Sequence, residues 1–119
     1  MNDELLAAIK KLVNERRYRV KIHAVRHMIE EGFSERDIIA AILGESKIIE
    51  MYDKDKRCLI LGRFRWDDKI KSSIHMVCDY SNRKIIDIVT AYIPQRPWWI
   101  SPQRRGRRKP SIPGKVRKP

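Results

Sequence analysis

The chain has 119 residues, of which 42% are hydrophobic and 35% charged, and its 27 lysines and arginines against 15 acids give a net charge of +12. This is enough for one domain with a single modest core, and too little for two. No apolar run approaches the ~20 residues of a membrane span, and two cysteines exclude a disulfide-built scaffold.

The charge is unevenly spread. Residues 101–119 carry eight cations (Arg104, Arg105, Arg107, Arg108, Lys109, Lys115, Arg117 and Lys118) and no acid. Removing these eight from +12 leaves +4 for residues 1–100. The organisation expected is one α+β domain over residues 1–100 and a disordered basic tail over 101–119. With four prolines, two glycines and almost nothing apolar, the tail cannot offset its own ordering entropy. A basic surplus favours a polyanionic partner, nucleic acid first. The start, Met1-Asn2-Asp3-Glu4, lacks the basic n-region and apolar core of a signal peptide, and the expected location is the cytoplasm.

Asn2 to Arg16 reads as a helix, with Leu5, Leu6, Ile9, Leu12 and Val13 on one stripe. Tyr18 to Ile22 is a short extended lead-in. A second helix follows from about His23 to Glu31, with Gly32 as a left-handed stop. Ser34 caps a third helix, with Asp37 three residues on as an imperfect capping box, and Gly44 ends it.

Four strands follow: Lys47–Tyr52, Arg57–Phe64, Ser72–Tyr80 and Lys84–Ile93. Each is rich in Ile, Val, Tyr or Cys and is separated from the next by short polar turns. The gaps are too short for crossover helices, which predicts a four-stranded antiparallel meander with about three N-terminal helices on one face. Strict alternation puts Ile74, Met76, Cys78 and Tyr80 toward the core and His75 on the opposite, more open face. It also puts Ile86, Ile88, Thr90 and Tyr92 on one side of the last strand and Ala91 on the other. Cys58 and Cys78 read as buried free thiols, with a cross-strand disulfide as the alternative. Pro94 ends the last strand. Trp98 and Trp99 then fold back on the core edge or offer bases a stacking platform.

Few residues carry chemistry. His23 and His27 are four apart and share a helical face that Arg26 adjoins. Imidazoles suit proton transfer near neutral pH, and a guanidinium suits phosphate. If that end of the helix lies over His75, with Tyr92 at the rim, the group can bind a phosphate and move a proton. His75 is expected level with Ile88 to Thr90, and Tyr92 beyond it. The structural account of the same residues has His23 capping its helix and Arg26 pairing with Glu30. No metal or other cofactor is expected, because His75 and Cys78, three apart on a strand, point to opposite faces.

The run His23-Ala24-Val25-Arg26-His27-Met28, then Glu31-Gly32-Phe33-Ser34 with Asp37-Ile38, resembles the opening of a prokaryotic family called domain of unknown function 4258. The resemblance continues through Ile48-Ile49-Glu50-Met51-Tyr52, Leu59-Ile60-Leu61-Gly62, Ile74-His75-Met76-Val77 and Ile88-Val89-Thr90-Ala91-Tyr92-Ile93-Pro94, and spans roughly residues 18 to 99. That family resembles the RelE-like and BrnT-like toxins of toxin–antitoxin pairs. What the resemblance implies is a RelE-like toxin architecture and metal-independent cleavage of messenger RNA, including ribosome-associated message. It also implies a small zinc-finger-type antitoxin as partner. Among this chain's residues, His23, Arg26, His75 and Tyr92 match recurring polar positions of the family, as candidate catalytic residues. His27 and the basic tail depart from its pattern. The tail cations Arg104, Arg105, Arg107, Arg108 and Lys109, with Trp98 and Trp99, are the candidate nucleic-acid contacts. The competing reading is a non-catalytic nucleic-acid-binding or partner-binding domain.

Overall fold

The computed structural model describes residues 2–94, together with the backbone of residues 99–101 and 104–105. Three helices come first: α1 (Asn2–Asn14), α2 (Ile22–Glu31) and α3 (Glu35–Leu43), with a short strand, β1 (Tyr18–Val20), between the first two. Strands β2 (Lys47–Tyr52), β3 (Arg57–Arg65), β4 (Lys71–Asp79) and β5 (Ile86–Tyr92) follow. They pair antiparallel in sequence order, as short polar turns require.

The sheet is nevertheless five-stranded and mixed, in the order β1-β5-β4-β3-β2. The lead-in expected to be merely extended is a real strand, lying parallel to β5 with Tyr18 opposite Ile86 and Val20 opposite Ile88. The expectation of a purely antiparallel four-stranded sheet therefore missed an edge strand. Three residues of parallel pairing leave no hairpin turn and too short an apolar run to be read from sequence. A separate two-stranded ribbon joins β6 (Trp99–Ser101) to β7 (Arg104–Arg105). It reaches into the segment expected to be disordered. The rest of that segment, including Arg107, Arg108 and Lys109, lies outside the described residues, as do the side chains of Trp98, Trp99, Arg104 and Arg105.

The helices close as their sequences dictate. Ser34 Oγ accepts from Asp37 N at 3.2 Å and Asp37 Oδ2 accepts from Ser34 N at 2.9 Å, the two reciprocal bonds of a capping box. Gly32 ends α2 at φ 87°, its N–H donating to Met28 O at 2.9 Å. One core gathers Ile9 and Val13 of α1, Ala24 of α2, and Ile38, Ala41 and Ile42 of α3. These pack with Ile60, Ile74, Met76, Ile88 and Ala91 of the sheet. Cys58 and Cys78, cross-strand partners inside that core, are free thiols. Among the described residues no helix is long and apolar enough to cross a membrane.

A candidate site at the end of the last sheet strand

The alternation expected along β5 fails at one residue. Cys78 pairs with Ile88 and Val77 with Thr90, so Val89 is an extra residue in β5. Such a bulge shifts every later side chain to the other face. Before it, Ile86 and Ile88 face the core; after it, Ala91 does. Thr90 and Tyr92 are thereby turned to the opposite face, the face of His75. The register then sets His75 directly opposite Tyr92, not level with Ile88 to Thr90.

His75 is not on an open face. It is fully buried, as is Leu59 on the same side of the sheet. On the middle strand it has Leu61 of β3 and Tyr92 of β5 as cross-strand neighbours. The His75 and Tyr92 rings meet edge-on with centroids 5.3 Å apart. The Tyr92 hydroxyl lies 3.3 Å from His75 Nδ1, a long hydrogen bond.

The other flank of Tyr92 is met by His27, with ring centroids 6.1 Å apart. His27 and Glu31, four apart on α2, share a face, and Nδ1 of His27 stands 2.5 Å from Glu31 Oε2. An ionised carboxylate only accepts, which assigns the proton of this bond to Nδ1 and turns Nε2 away from Glu31. The second Glu31 oxygen accepts from the backbone N–H of Ile93 at 2.8 Å. Glu31 thus fixes the imidazole and holds α2 against the sheet edge beyond β1. Both side chains are largely covered, His27 at 25% exposure and Glu31 at 14%.

The result is a line of four side chains, Glu31, His27, Tyr92 and His75, at the C-terminal end of β5. Of the four residues expected to converge, His75 and Tyr92 do so. His23 and Arg26 are exposed on α2, and neither enters the hydrogen bonds, ion pairs or ring contacts of the described residues. The structural roles weighed for them are also unfilled. Lys21 rather than His23 stands at the helix start, without a side-chain cap, and Arg26 makes no ion pair with Glu30. His23 lies one turn back along the axis from His27, ~6 Å. Sequence reasoning put His27 on the candidate face with His23 but gave it no place among the catalytic residues, and it passed over Glu31. Their i,i+4 acid–imidazole spacing was the available signal. Among the described residues no group of three or more His, Cys, Asp or Glu gathers as metal ligands.

The fold and this cluster define a small α+β domain in which a helix and a short parallel strand share the edge of a mixed sheet, with a histidine–tyrosine cluster at its end. The chain belongs to the family described as Domain of unknown function (DUF4258), whose model matches residues 20–93. That span contains all four clustered residues. No curated protein and no solved structure matches the chain.

Proposed function

We propose that the domain acts on RNA as a metal-independent, toxin-type endoribonuclease with its centre at Tyr92. The observation that carries this reading is the convergence of two histidines on one tyrosine, with a carboxylate fixing one imidazole and Arg26 exposed beside it in sequence. In this chemistry His27 Nε2 takes the proton from an RNA 2′-hydroxyl as its oxygen bonds the adjacent phosphorus. The P–O5′ bond breaks, and the Tyr92 hydroxyl returns a proton to the leaving oxygen. The products are a 2′,3′-cyclic phosphate and a 5′-hydroxyl. Arg26 holds the non-bridging oxygens as charge builds on them. His75, fully buried, is a positioning residue that acts through Tyr92. His23, one turn back, and the tail cations bind flanking phosphates.

The toxin part of the reading, with a RelE-like architecture and a small zinc-finger-type antitoxin, rests on the family resemblance and on three helices sharing one core with a sheet. RNA incubated with the protein in chelator should acquire 2′,3′-cyclic phosphate ends. His27→Ala, Arg26→Ala and Tyr92→Phe should each abolish this with little change in Tm. Cleavage that survives all three substitutions, or that needs an added metal, would sink the proposal.

One observation favours a second reading. The complete burial of His75 suits a polar network that ties α2 to the sheet in a non-catalytic RNA- or partner-binding domain. In that case the wild-type protein leaves RNA intact, and the same substitutions lower Tm instead.

A further inference from the structure

The end of α1 is built in an uncommon way. Arg16 N donates to Val13 O and Arg17 N to Leu12 O, the paired bonds of a Schellman closure, with Arg16 at the left-handed position, φ 63°. Glycine is the favoured residue there, because a Cβ is strained at positive φ. Arg16 and Lys56 are the two non-glycine residues at positive φ among the described residues, and Arg16 is the one that lines a groove.

That groove, of about 570 Å³, runs between the end of α1 and the outer face of α3. Its apolar lining is Val13, Ile39, Ala40 and Leu43. Arg16, Arg36, Tyr18, Glu35 and Asn14 supply the polar lining. Ile39, Ala40 and Leu43 recur at helical spacing from Arg36, so one face of α3 presents an aliphatic strip with a guanidinium at its head. The groove is open to solvent, with Arg16, Arg36, Ala40 and Leu43 all exposed, and it sets an apolar surface beside polar groups that can orient a ligand.

The charges around the groove are unequal. Glu35 accepts the Tyr18 hydroxyl at 2.8 Å. That bond raises the Tyr18 pKa, burial and the Glu35 charge add to it, and the nearby Arg16 charge pulls the other way. The other cations at the end of α1 are paired: Lys11 and Arg17 both lie against Glu15, at 3.8 and 3.6 Å. Arg16 and Arg36 form no ion pair among the described residues. The lining therefore holds two guanidiniums free of ion pairs against one carboxylate, an excess of one positive charge.

We propose that this groove binds a small amphipathic organic anion, its aliphatic body on Ile39, Ala40 and Leu43 and its carboxylate or phosphate between Arg16 and Arg36. The site is separate from the Tyr92 cluster, and Arg16 lies outside the segment matched by the family model. The apolar part of the lining is aliphatic and Tyr18 is its one aromatic ring, which suits an alkyl chain better than a stacked base.

The test uses the full-length protein, followed by amide chemical-shift titration with octanoate, octyl phosphate and, as the neutral control, octanol. Either anion should shift residues at the end of α1 and along α3, and should bind roughly tenfold more tightly than octanol, as charge-assisted contacts predict. The order of the two anions tells a carboxylate source from a phosphate one. Arg16→Gly should remove that preference and at the same time raise Tm by a few degrees, because it relieves the left-handed strain. Arg36→Gln should weaken both anions without raising Tm. The proposal is overturned if octanol binds as well as the anions, if the shifts map away from α1 and α3, or if Arg16→Gly binds like the wild type. A wild type that binds neither anion overturns it too, and would leave the groove to a polypeptide. None of these readouts depends on RNA cleavage.

Discussion

Replacing Gly62 by alanine tests how closely α3 sits on the sheet. Gly62 is buried in β3 opposite Ile74. A Cβ built there would stand 2.7 Å from the backbone oxygen of Ala41, and 3.0 Å from its carbonyl carbon and its Cβ. Two of these atoms belong to the backbone of α3, so no side-chain rotation relieves the contact. The helix must retreat by about 0.5 Å or more to reach ordinary separation. Ile38, Ala41 and Ile42, all fully buried, would retreat with it. Overpacking of this kind costs about 1–3 kcal/mol. Against it, alanine is better than glycine in a strand interior by about 0.5–1 kcal/mol. The clash should win, with a net loss of about 1–2 kcal/mol and a fall in Tm of about 4–8 °C for each of them. Urea unfolding followed by circular dichroism reads this directly. A variant as stable as the wild type, or more so, would mean that α3 moves freely over β3 and that the close approach holds nothing.

Three shorter tests follow. Ser34→Ala removes one half of the capping box and should cost about 1 kcal/mol in the same unfolding assay, whereas Ser34→Asp should cost much less. Burial pushes the Cys58 thiol up to about 12 and Cys78 well above its ordinary value, so a thiol reagent at pH 8 should label neither in the native protein and both in denaturant. For Asp79, burial works to raise the pKa but is outweighed by hydrogen bonds from the Ser81 hydroxyl and N–H and from Arg57, so the folded value is lowered. Its stabilisation is therefore present above the unfolded carboxylate pKa of about 3.9 and lost as pH falls through the lower folded value. Asp79→Asn should be less stable than wild type near neutrality, and the difference should shrink in acid; a constant gap would contradict the assignment.

The three helices, the four hairpin-linked strands and both helix-closing devices at Ser34 and Gly32 were legible in the sequence, because each rests on local spacing or on one residue's backbone preference. The parallel pairing of Tyr18–Val20 was not. Its partner lies nearly seventy residues away, and three residues carry too little pattern to name it. The burial of His75 was missed for a different reason. Alternation tells which side chains share a face and leaves open what covers that face. The site was legible in its members and not in its geometry. A strictly alternating β5 would have kept Tyr92 with Ile88 on the core face, away from His75. Only the extra residue at Val89 brings the two together, and a bulge without a glycine leaves no mark on the sequence.

That bulge and the short β1 belong to one arrangement. β1 covers the outer edge of β5 only from Ile86 to Ile88, and the chain then turns into α2 just where the bulge begins. The edge donors are taken up in order, Ile86 N by Arg17 O and, beyond β1, Ile93 N by Glu31. An unpaired sheet edge is thus closed by a side chain instead of a strand. The same carboxylate holds His27 beside Tyr92, so the residue that ends the sheet is the residue that orients the imidazole. Glu31→Gln separates the two duties. The amide oxygen can still accept from Ile93 N, so the edge remains closed, but the carboxylate that fixes the His27 tautomer is gone. A loss of the proposed RNA cleavage with little change in Tm places the weight of Glu31 on His27, and a large fall in Tm places it on the sheet edge.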